Sequence, residues 1–282
     1  MTPRGPLLTR TVHEQLSAAR RAGAAHALVS LDLGRTQATV AIAQEHWSHA
    51  GRSFPYAATC RERTVYMWAG DDWQQVSRFN RGLIKLVPTS WGPPTFEIDG
   101  IKMLPTEQVS PYEDARSKVA LVEPAGKRIL DCCAGLGYFA AWCLQSGAAE
   151  VVSFEKNPDV LWLREVNPWS PEPDVRLRLH AADVVEAIGT LADAAFDAVL
   201  HDPPRFGIAG ELYSQAFYDQ LARVMRPGGR LFHYTGTPNR LTSGRDVPAE
   251  VAARLGRAGF RTQPSGDGIV AVRLRQPQVG PF

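Results

Sequence analysis

Hydrophobic and polar positions follow two different patterns along this chain of 282 residues. Up to about residue 110, short apolar runs are broken by Gly, Pro and Asp, a pattern typical of short strands joined by tight turns. From Pro111 onward, apolar runs of strand length alternate with segments of helical periodicity. The first pattern predicts an N-terminal helix and a small, mostly antiparallel β domain over residues 1–110. The second predicts a separate α/β domain over residues 111–282.

The N-terminal helix is predicted from Thr9 to about Ala27, with Val12, Leu16 and Ala19 on one face. Strand-like runs follow it, and turn residues between runs this short favour antiparallel pairing. These runs are Leu31–Ile42, Thr64–Trp68, Leu83–Val87 and Thr95–Ile98.

The C-terminal region predicts a doubly wound, seven-stranded, Rossmann-like sheet, because strands and helices alternate along it. Its predicted strands are Arg128–Asp131, Glu150–Glu155, Val175–His180, Phe196–His201, Gly229–Tyr234, Phe260–Thr262 and Gly268–Leu274. Its predicted helices are Tyr138–Ser146, Asp159–Glu165, Val184–Leu191, Glu211–Met225 and Pro248–Ala258. The sheet is expected to be parallel except for its last two strands, which meet through Gly266-Asp267-Gly268 as an antiparallel hairpin.

Charge, cysteine spacing and the length of apolar runs limit which binding partners are expected for this chain. A net charge of +2 is well below that of a dedicated nucleic-acid binder. The four cysteines show no Cys-x-x-Cys spacing, so we expect no metal site and a reducing, cytoplasmic setting. No stretch reaches the ~18 apolar residues of a membrane span, and the N-terminus lacks the features of a signal peptide. We therefore expect no membrane partner.

A glycine-containing turn follows the first strand of the C-terminal region, in Asp131-Cys-Cys-Ala-Gly-Leu-Gly137. Gly135 and Gly137 allow the backbone to pass close to a ligand, although a tight strand-to-helix turn alone would also explain them. Glu155 ends the next strand, 24 residues after Asp131 (155 − 131), as expected for a carboxylate that binds ribose hydroxyls. Asp183 follows the third strand, where it can accept a hydrogen bond from an adenine amino group or cap a helix. Together, the glycines and acids favour a nucleoside ligand.

The segment from about Gly126 to Leu274 resembles class I S-adenosylmethionine-dependent methyltransferases. The resemblance implies S-adenosylmethionine as cofactor, with its methionyl part at the first loop, its ribose at Glu155 and its adenine at Asp183. The residues implied to bind it are Asp131, Cys133, Gly135, Gly137, Glu155 and Asp183. Cys133 replaces the first glycine of many family members, which makes the turn less permissive.

Two further observations concern the cofactor. Tyr112, just before the first strand of the C-terminal region, is a candidate for covering it. No phosphate-binding Lys follows the glycine loop, which disfavours ATP.

The fourth strand ends in His201-Asp-Pro-Pro-Arg-Phe206. Its prolines predict a rigid corner suited to orienting an acceptor, because they fix φ and remove backbone donors. Asp202-Pro203-Pro204 resembles the Asp-Pro-Pro motif of methyltransferases that modify amines or nucleobases; a proline-rich turn capped by Asp202 is the alternative. The catalytic candidates are Asp202, His201, His233 and Tyr234, and the acceptor-binding candidates are Pro203, Pro204, Arg205 and Phe206.

Three comparisons bear on the reaction. Methylation of carbon 5 of RNA pyrimidines is excluded because it needs a nucleophilic Cys, and no Cys follows Cys143. Ile98–Ile101 and Gly210–Tyr218 resemble the spermidine synthase family. Arg205 and the two prolines, however, replace the second carboxylate that this family uses near a polyamine, and a cation in place of that acid argues against a diamine acceptor. The whole chain resembles a poorly characterised, largely archaeal group of predicted methyltransferases that shares His201–Phe206 and Phe232–Gly236.

We therefore expect methyl transfer to a nitrogen or oxygen of a small-molecule acceptor. Three alternatives stay open: aminopropyl transfer from decarboxylated S-adenosylmethionine, methylation of an RNA base or amine without a Cys nucleophile, and non-catalytic cofactor binding. A nucleic-acid partner is not favoured, because the arginines of the N-terminal region are scattered along the sequence. A homodimer is left open.

Overall fold

The computed structural model describes residues 5–204, 207, 209–236 and 246–275. The chain divides into two compact units. The first unit comprises Met1–Asp114 with Trp162–Ser170, and the second comprises Ala115–Leu161 with Pro171–Phe282. The division therefore falls inside a helix, Pro111–Ala120, that begins where the second sequence pattern begins.

In the described residues of the first unit, a helix near the start is accompanied by short antiparallel strands. The helix, α1, spans Arg10–Arg21, and Thr9 caps it by accepting a hydrogen bond from the backbone N–H of Val12. The strands are β1 Leu7–Leu8, β2 His26–Val29, β3 Ala38–Ile42, β4 His46–His49, β5 Arg52–Pro55, β6 Tyr66–Trp68, β7 Trp73–Gln75, β8 Ser77–Phe79, β9 Leu83–Thr89, β10 Gly92–Ile98 and β11 Ile101–Lys102. They form three antiparallel sheets, in the orders β1-β6-β7, β2-β3-β4-β5 and β11-β10-β9-β8.

The prediction of a mostly antiparallel β region is confirmed, but two of its boundaries were wrong. The helix ends at Arg21 instead of Ala27, because Gly23 takes a left-handed φ of 64° and β2 follows at His26. Only the end of the run Leu31–Ile42 is a strand. The Asp32 side chain holds its beginning in a loop, by accepting hydrogen bonds from the backbone N–H and hydroxyl of Thr36.

An aromatic cluster forms the core of the first unit. The rings of Trp47 and Phe54 stack with centroids 4.7 Å apart, and Trp73 lies 6.0 Å from Trp47. Val40 and Leu8 pack in the same buried cluster. Large rings therefore add much buried apolar area to a core that is built from short strands.

The second unit is built on one seven-stranded sheet, as the sequence predicts. Its strands are β12 Arg128–Asp131, β13 Glu150–Phe154, β14 Leu177–His180, β15 Phe196–His201, β16 Met225–Tyr234, β17 Phe260–Ser265 and β18 Gly268–Arg273. The order is β14-β13-β12-β15-β16-β18-β17, parallel from β14 to β16, with β18 antiparallel to both of its neighbours.

One helix precedes these strands and others connect them. They are α2 Pro111–Ala120, α3 Tyr138–Gln145, α4 Pro158–Val166, α5 Val184–Ala187, α6 Gln215–Val224 and α7 Val247–Arg257. The predicted helix Glu211–Met225 is instead a 3₁₀ turn, Gly210–Tyr213, followed by α6. The break occurs because Ser214 takes an extended conformation and caps α6 with its hydroxyl.

The central strands β12 and β15 are apolar on both faces, as expected for parallel strands covered by helices. Pairing aligns Asp131 with Leu200 and, on the other side, with Ser153; it also aligns His201 with His233. The carboxyl ends of these strands therefore meet at one edge of the sheet, where ligands of doubly wound folds bind.

The hairpin β17–β18 approaches that edge closely. Gly268, at the start of β18, pairs with Tyr234. A Cβ atom at Gly268 would lie 2.5 Å from the carbonyl oxygen of His233 and 2.8 Å from the ring of Phe232. Only a residue without a side chain allows β18 to pair with β16 at this spacing.

Within the part of the chain that the structure describes, no helix is long and apolar enough to cross a membrane.

The burial of β12 leads to a stability prediction. Leu130 is 0% exposed and lies in the main core cluster of the second unit. Leu130→Ala should lower the free energy of unfolding by about 2–5 kcal/mol, because it removes buried methyl groups and leaves a cavity. Leu179→Ala is the matched control: this leucine on edge strand β14 is 40% exposed, and its truncation should cost less than about 1 kcal/mol. Urea unfolding of both variants measures the difference, and equal losses would contradict the assignment of β12 to the core.

Candidate functional site

Asp131 ends β12 as a fully buried acid. Its carboxylate accepts a hydrogen bond of 2.9 Å from the hydroxyl of Ser153, its register partner on β13. Such a bond offsets part of the cost of burying a carboxylate, which is high without polar partners. The acid is thus fixed directly before the glycine loop.

The glycine loop is tied to the end of β13 by Glu155. Gly135 and Gly137 take φ values of 49° and 84°, the left-handed region that favours glycine. The backbone N–H of Gly135 donates to Glu155 Oε2 at 3.0 Å, and that of Asn157 donates to Glu155 Oε1 at 2.9 Å. One carboxylate therefore joins the loops after β12 and β13, and the predicted residues Gly135 and Glu155 are brought into direct contact.

Asp183 follows β14, as predicted, and caps helix α5. Its Oδ1 accepts from the backbone N–H of Val185 at 2.9 Å, and its Oδ2 accepts from Lys156 Nζ at 3.0 Å. The hydrogen bond with Asp183 is the largest cause of a raised pKa at Lys156. The cap interpretation is therefore correct for the local structure, while the predicted contact with adenine stays a prediction.

The pKa of the Cys133 thiol is affected by the charged groups around the loop. Burial, first of all, raises the pKa of its thiol well above the usual value, and the nearby groups of Cys132, Glu155, Asp131 and Asp202 raise it further. The thiol stays protonated, so it is not a nucleophile at neutral pH. Three carboxylates thus act on one position of the loop.

These carboxylates and the glycine backbone fit S-adenosylmethionine, which carries a sulfonium cation and two ribose hydroxyls. Carboxylates favour a cation in the loop by Coulomb attraction, and Glu155 offers acceptor oxygens at the end of the second strand. The left-handed glycines leave backbone free of side chains beside them. The residues that would hold the cofactor are Asp131, Cys133, Gly135, Gly137, Glu155 and Asp183.

Asp202 and its prolines form the predicted corner after β15. Pro203 is buried, and the hydroxyl of Tyr213 donates to the carbonyl oxygen of Pro204 at 3.0 Å, which fixes the corner from behind. Burial, and then the charge of Asp202, raise the pKa of Tyr213, so its hydroxyl remains a donor. Arg205 and Phe206, predicted to bind the acceptor, lie outside the described residues.

His201 and His233 are fully buried, and their rings meet edge to face with centroids 4.4 Å apart. His201 Nε2 donates to the carbonyl oxygen of Leu212 at 3.0 Å. His233 Nδ1 donates to the carbonyl oxygen of Tyr234 at 2.7 Å, and its Nε2 accepts from the Tyr218 hydroxyl at 2.8 Å. Burial lowers the pKa of His201 to about 4 and that of His233 well below 6.5.

Both histidines are therefore neutral and lie inside the core, whereas their positions at the ends of neighbouring strands predicted that they line the same pocket as Asp202. Among the residues that the structure describes, His201 Nδ1 has no hydrogen-bond partner. That nitrogen keeps its lone pair, as the neutral ring requires. A direct catalytic role for the two rings stays a prediction that this burial does not support.

Lys118, on α2, is a site residue that was not predicted from the sequence. Its Nζ lies 3.8 Å from Asp202 Oδ2 and 3.6 Å from Asp267 Oδ2. The same atom lies 4.5 Å from the ring centroid of Tyr234 and 5.8 Å from that of Phe232. One signal could have revealed it: Lys118 stands at a position of α2 where the helical spacing of buried residues predicts an apolar side chain.

Tyr112 lies in the first turn of α2 and belongs to the first unit. Its ring centroid is 5.4 Å from that of Trp169, in the same unit. Its predicted place over the cofactor stays a prediction.

The first unit also has a cavity of about 800 Å³ beside the N-terminus of α1. Among the charged residues that line it, Arg10 bonds to Glu14 and to Glu62. Its lining residues all belong to the first unit, so it is distinct from the sheet edge that carries the acids.

Comparisons with known proteins agree with this geometry. Residues 118–237 match the family model of the methyltransferase small domain. The uncharacterized protein MJ1233 of Methanocaldococcus jannaschii is 45% identical over 201 residues, which cover 70% of this chain and 69% of that protein.

Similarity to aminopropyltransferases is also present. The polyamine aminopropyltransferase of Mycobacterium tuberculosis is 32% identical over 139 residues, 45% of this chain and 27% of that protein. The solved structure of spermidine synthase from Thermotoga maritima superposes with a TM-score of 0.55 at 18% identity, covering 70% of this chain and 71% of that one. At that identity the superposition shows a shared fold.

The neutral histidines predict acid sensitivity. His201 has a pKa of about 4 in the folded chain against 6.5 as its usual value, so the unfolded chain takes up a proton first as the pH falls. The stability that the neutral ring contributes is fully present above pH 6.5 and is lost as the pH falls toward 4, by about 3 kcal/mol in total. Urea unfolding at several pH values measures this slope.

His201→Gln keeps a donor for the Leu212 carbonyl and cannot take up the proton, so its stability should fall less steeply over this range. The control is His46→Gln in the exposed part of β4, which should leave the slope unchanged. An unchanged slope in His201→Gln would refute the assignment.

Proposed function

This chain belongs to the family of MJ1233, and its residues 118–237 match the methyltransferase small domain; on that basis we propose that it is an S-adenosylmethionine-dependent methyltransferase that acts on a nitrogen or oxygen of a small-molecule acceptor. The observation that carries the proposal is the set of acids at the ends of adjacent parallel strands, next to the corner at Asp202. A cofactor pocket and an acceptor-orienting group then lie at the same edge of one sheet.

Bound S-adenosylmethionine supplies an electrophilic methyl group on a positively charged sulfur. Glu155 would bind the ribose hydroxyls with a carboxylate that is already oriented by two backbone N–H groups. Asp131, held by Ser153, and the glycine backbone would hold the charged end. Because these groups are positioned by the fold, little side-chain ordering is needed on binding.

Asp202 orients the acceptor. Its carboxylate accepts a hydrogen bond from the N–H or O–H of the acceptor, which directs the lone pair of that atom away from Asp202. Transfer would form a bond from the methyl carbon to nitrogen or oxygen while the carbon–sulfur bond breaks and its electron pair stays on sulfur, and the proton of the acceptor passes to Asp202 or to water. The prolines and the bond from Tyr213 keep the corner rigid, so that alignment is maintained.

Aminopropyl transfer is the second candidate, favoured by the similarity to aminopropyltransferases in sequence and to spermidine synthase in fold. The two reactions leave different nucleoside products. Methyl transfer leaves S-adenosylhomocysteine, whereas aminopropyl transfer leaves methylthioadenosine. Mass spectrometry after incubation with fractionated cell extract and either donor therefore distinguishes them.

Glu155→Gln should weaken binding of S-adenosylhomocysteine by about 10- to 100-fold, because hydrogen bonds to a charged group contribute roughly 1.5–3 kcal/mol. Isothermal titration calorimetry measures the change. Glu186→Gln is the matched control, since Glu186 is an exposed acid on α5 and its variant should bind like the unaltered protein. Well-folded unaltered protein that takes up neither S-adenosylmethionine nor S-adenosylhomocysteine would overturn the proposed function.

Asp202→Asn should separate binding from turnover. Methyl transfer into the acceptor-containing extract fraction should fall by about 100-fold or more, because the amide cannot accept the proton. Binding of S-adenosylhomocysteine should change by less than about threefold, since Asp202 faces the acceptor. Equal losses in both measurements would place Asp202 in the cofactor pocket instead.

A further inference from the structure

We propose that Lys118 determines acceptor specificity by filling, with its own ammonium group, the position beside Asp202 where an amine cation would bind. The acceptor atom that reaches Asp202 is then carried by an uncharged or anionic group. This inference rests on the proposed function in one respect, namely that Asp202 faces the acceptor.

The surroundings of Lys118 Nζ are those that recognise an alkylammonium ion. Two carboxylates, Asp202 and Asp267, approach it to 3.8 and 3.6 Å. The face of Tyr234 lies 4.5 Å away, and Phe232 lies at 5.8 Å. Acidic oxygens and aromatic faces together attract cations by charge and by the ring quadrupole. We call these four residues the ammonium cage.

The cage is largely sealed from water. The side chain of Lys118 is 5% exposed and that of Asp202 is 18% exposed, whereas Asp267, at 37%, lies nearer the surface. Charges interact more strongly where water is scarce, so the lysine offsets a large part of the negative potential of both acids. A second ammonium ion at Asp202 would meet the charge of Lys118 at short range and be repelled.

Three separate elements hold the cage in shape. Lys118 lies on α2 between Ala115 and Val119, which are buried. Asp267 lies in the β17–β18 turn. Its backbone carbonyl oxygen accepts hydrogen bonds from the backbone N–H groups of Thr235 and Gly236, at 3.1 and 3.0 Å. The cation therefore joins the helix, the Asp-Pro-Pro corner and the hairpin turn.

The cage also bears on the similarity to aminopropyltransferases. A diamine acceptor carries an ammonium group near neutral pH, and it would have to share Asp202 with Lys118. The internal cation thus disfavours such an acceptor in a chain that shares the fold of spermidine synthase. Uncharged hydroxyl or amide groups, and acceptors with a carboxylate or phosphate near the reacting atom, suit the site better.

The test measures binding of 1,4-diaminobutane by isothermal titration calorimetry, without cofactor, to the unaltered chain and to Lys118→Met. Methionine keeps the length of the lysine stem and removes its charge. The unaltered chain should show no binding up to about 10 mM, and Lys118→Met should bind the diamine at least about tenfold more tightly. Uncharged 1,4-butanediol should bind neither protein.

The matched control is Lys127→Met. Lys127 precedes β12 at the opposite end of the sheet, pairs with Glu123, and its loss changes the net charge by the same amount. Diamine binding that increases in both variants, or in neither while Lys118→Met retains its circular dichroism spectrum, would overturn the inference. If Lys118→Met does not fold, Lys118→Gln replaces it.

The unaltered chain gives a test that needs no variant. Binding of 1,4-diaminobutane to it with a Kd below about 10 mM would contradict an occupied cage. These measurements involve no cofactor, so their failure is distinct from that of the proposed function, which is decided by uptake of S-adenosylhomocysteine.

Discussion

Parallel pairing of β12 with β13 and β15 is the constraint on which the site depends. It aligns the strand ends, so that residues far apart in sequence reach one edge of the sheet. Both faces of the central strands are buried, and a shift by one residue would move every side chain to the opposite face. The position of Asp131 relative to Ser153, and of the loops that Glu155 joins, follows from this register.

Neutral polar groups under the Asp-Pro-Pro corner fix the geometry without adding charge. The two histidines and Tyr218 are joined or capped by hydrogen bonds with defined donors, and Tyr213 holds the corner by its hydroxyl. Such a network favours one arrangement of these side chains, because a misplaced donor would lose its hydrogen-bond partner in the buried core, where no water replaces it. The charged groups are outside this network, at Lys118 and at Asp202 and Asp267, which pair with Lys118.

The sequence predicted the parts of the fold that depend on local pattern. Strands Arg128–Asp131 and Phe196–His201 were placed correctly, because each is an apolar run ended by a charged residue or proline. The helix over Glu211–Met225 was predicted without its break, since the capping role of Ser214 depends on a local conformation that periodicity does not show. The burial of His201 and the cage around Lys118 could not be predicted, because they arise from residues brought together only by tertiary packing.

Gly268 affects the geometry of the ammonium cage. Because Gly268 has no side chain, the hairpin can lie against the backbone of His233. This position of the hairpin brings the neighbouring Asp267 close to Lys118. A single methyl group at this position would push the hairpin outward and widen the gap between an acid and its counter-ion. The selectivity of the site for its acceptor therefore depends on the absence of a side chain at Gly268, on a strand that carries no reactive group.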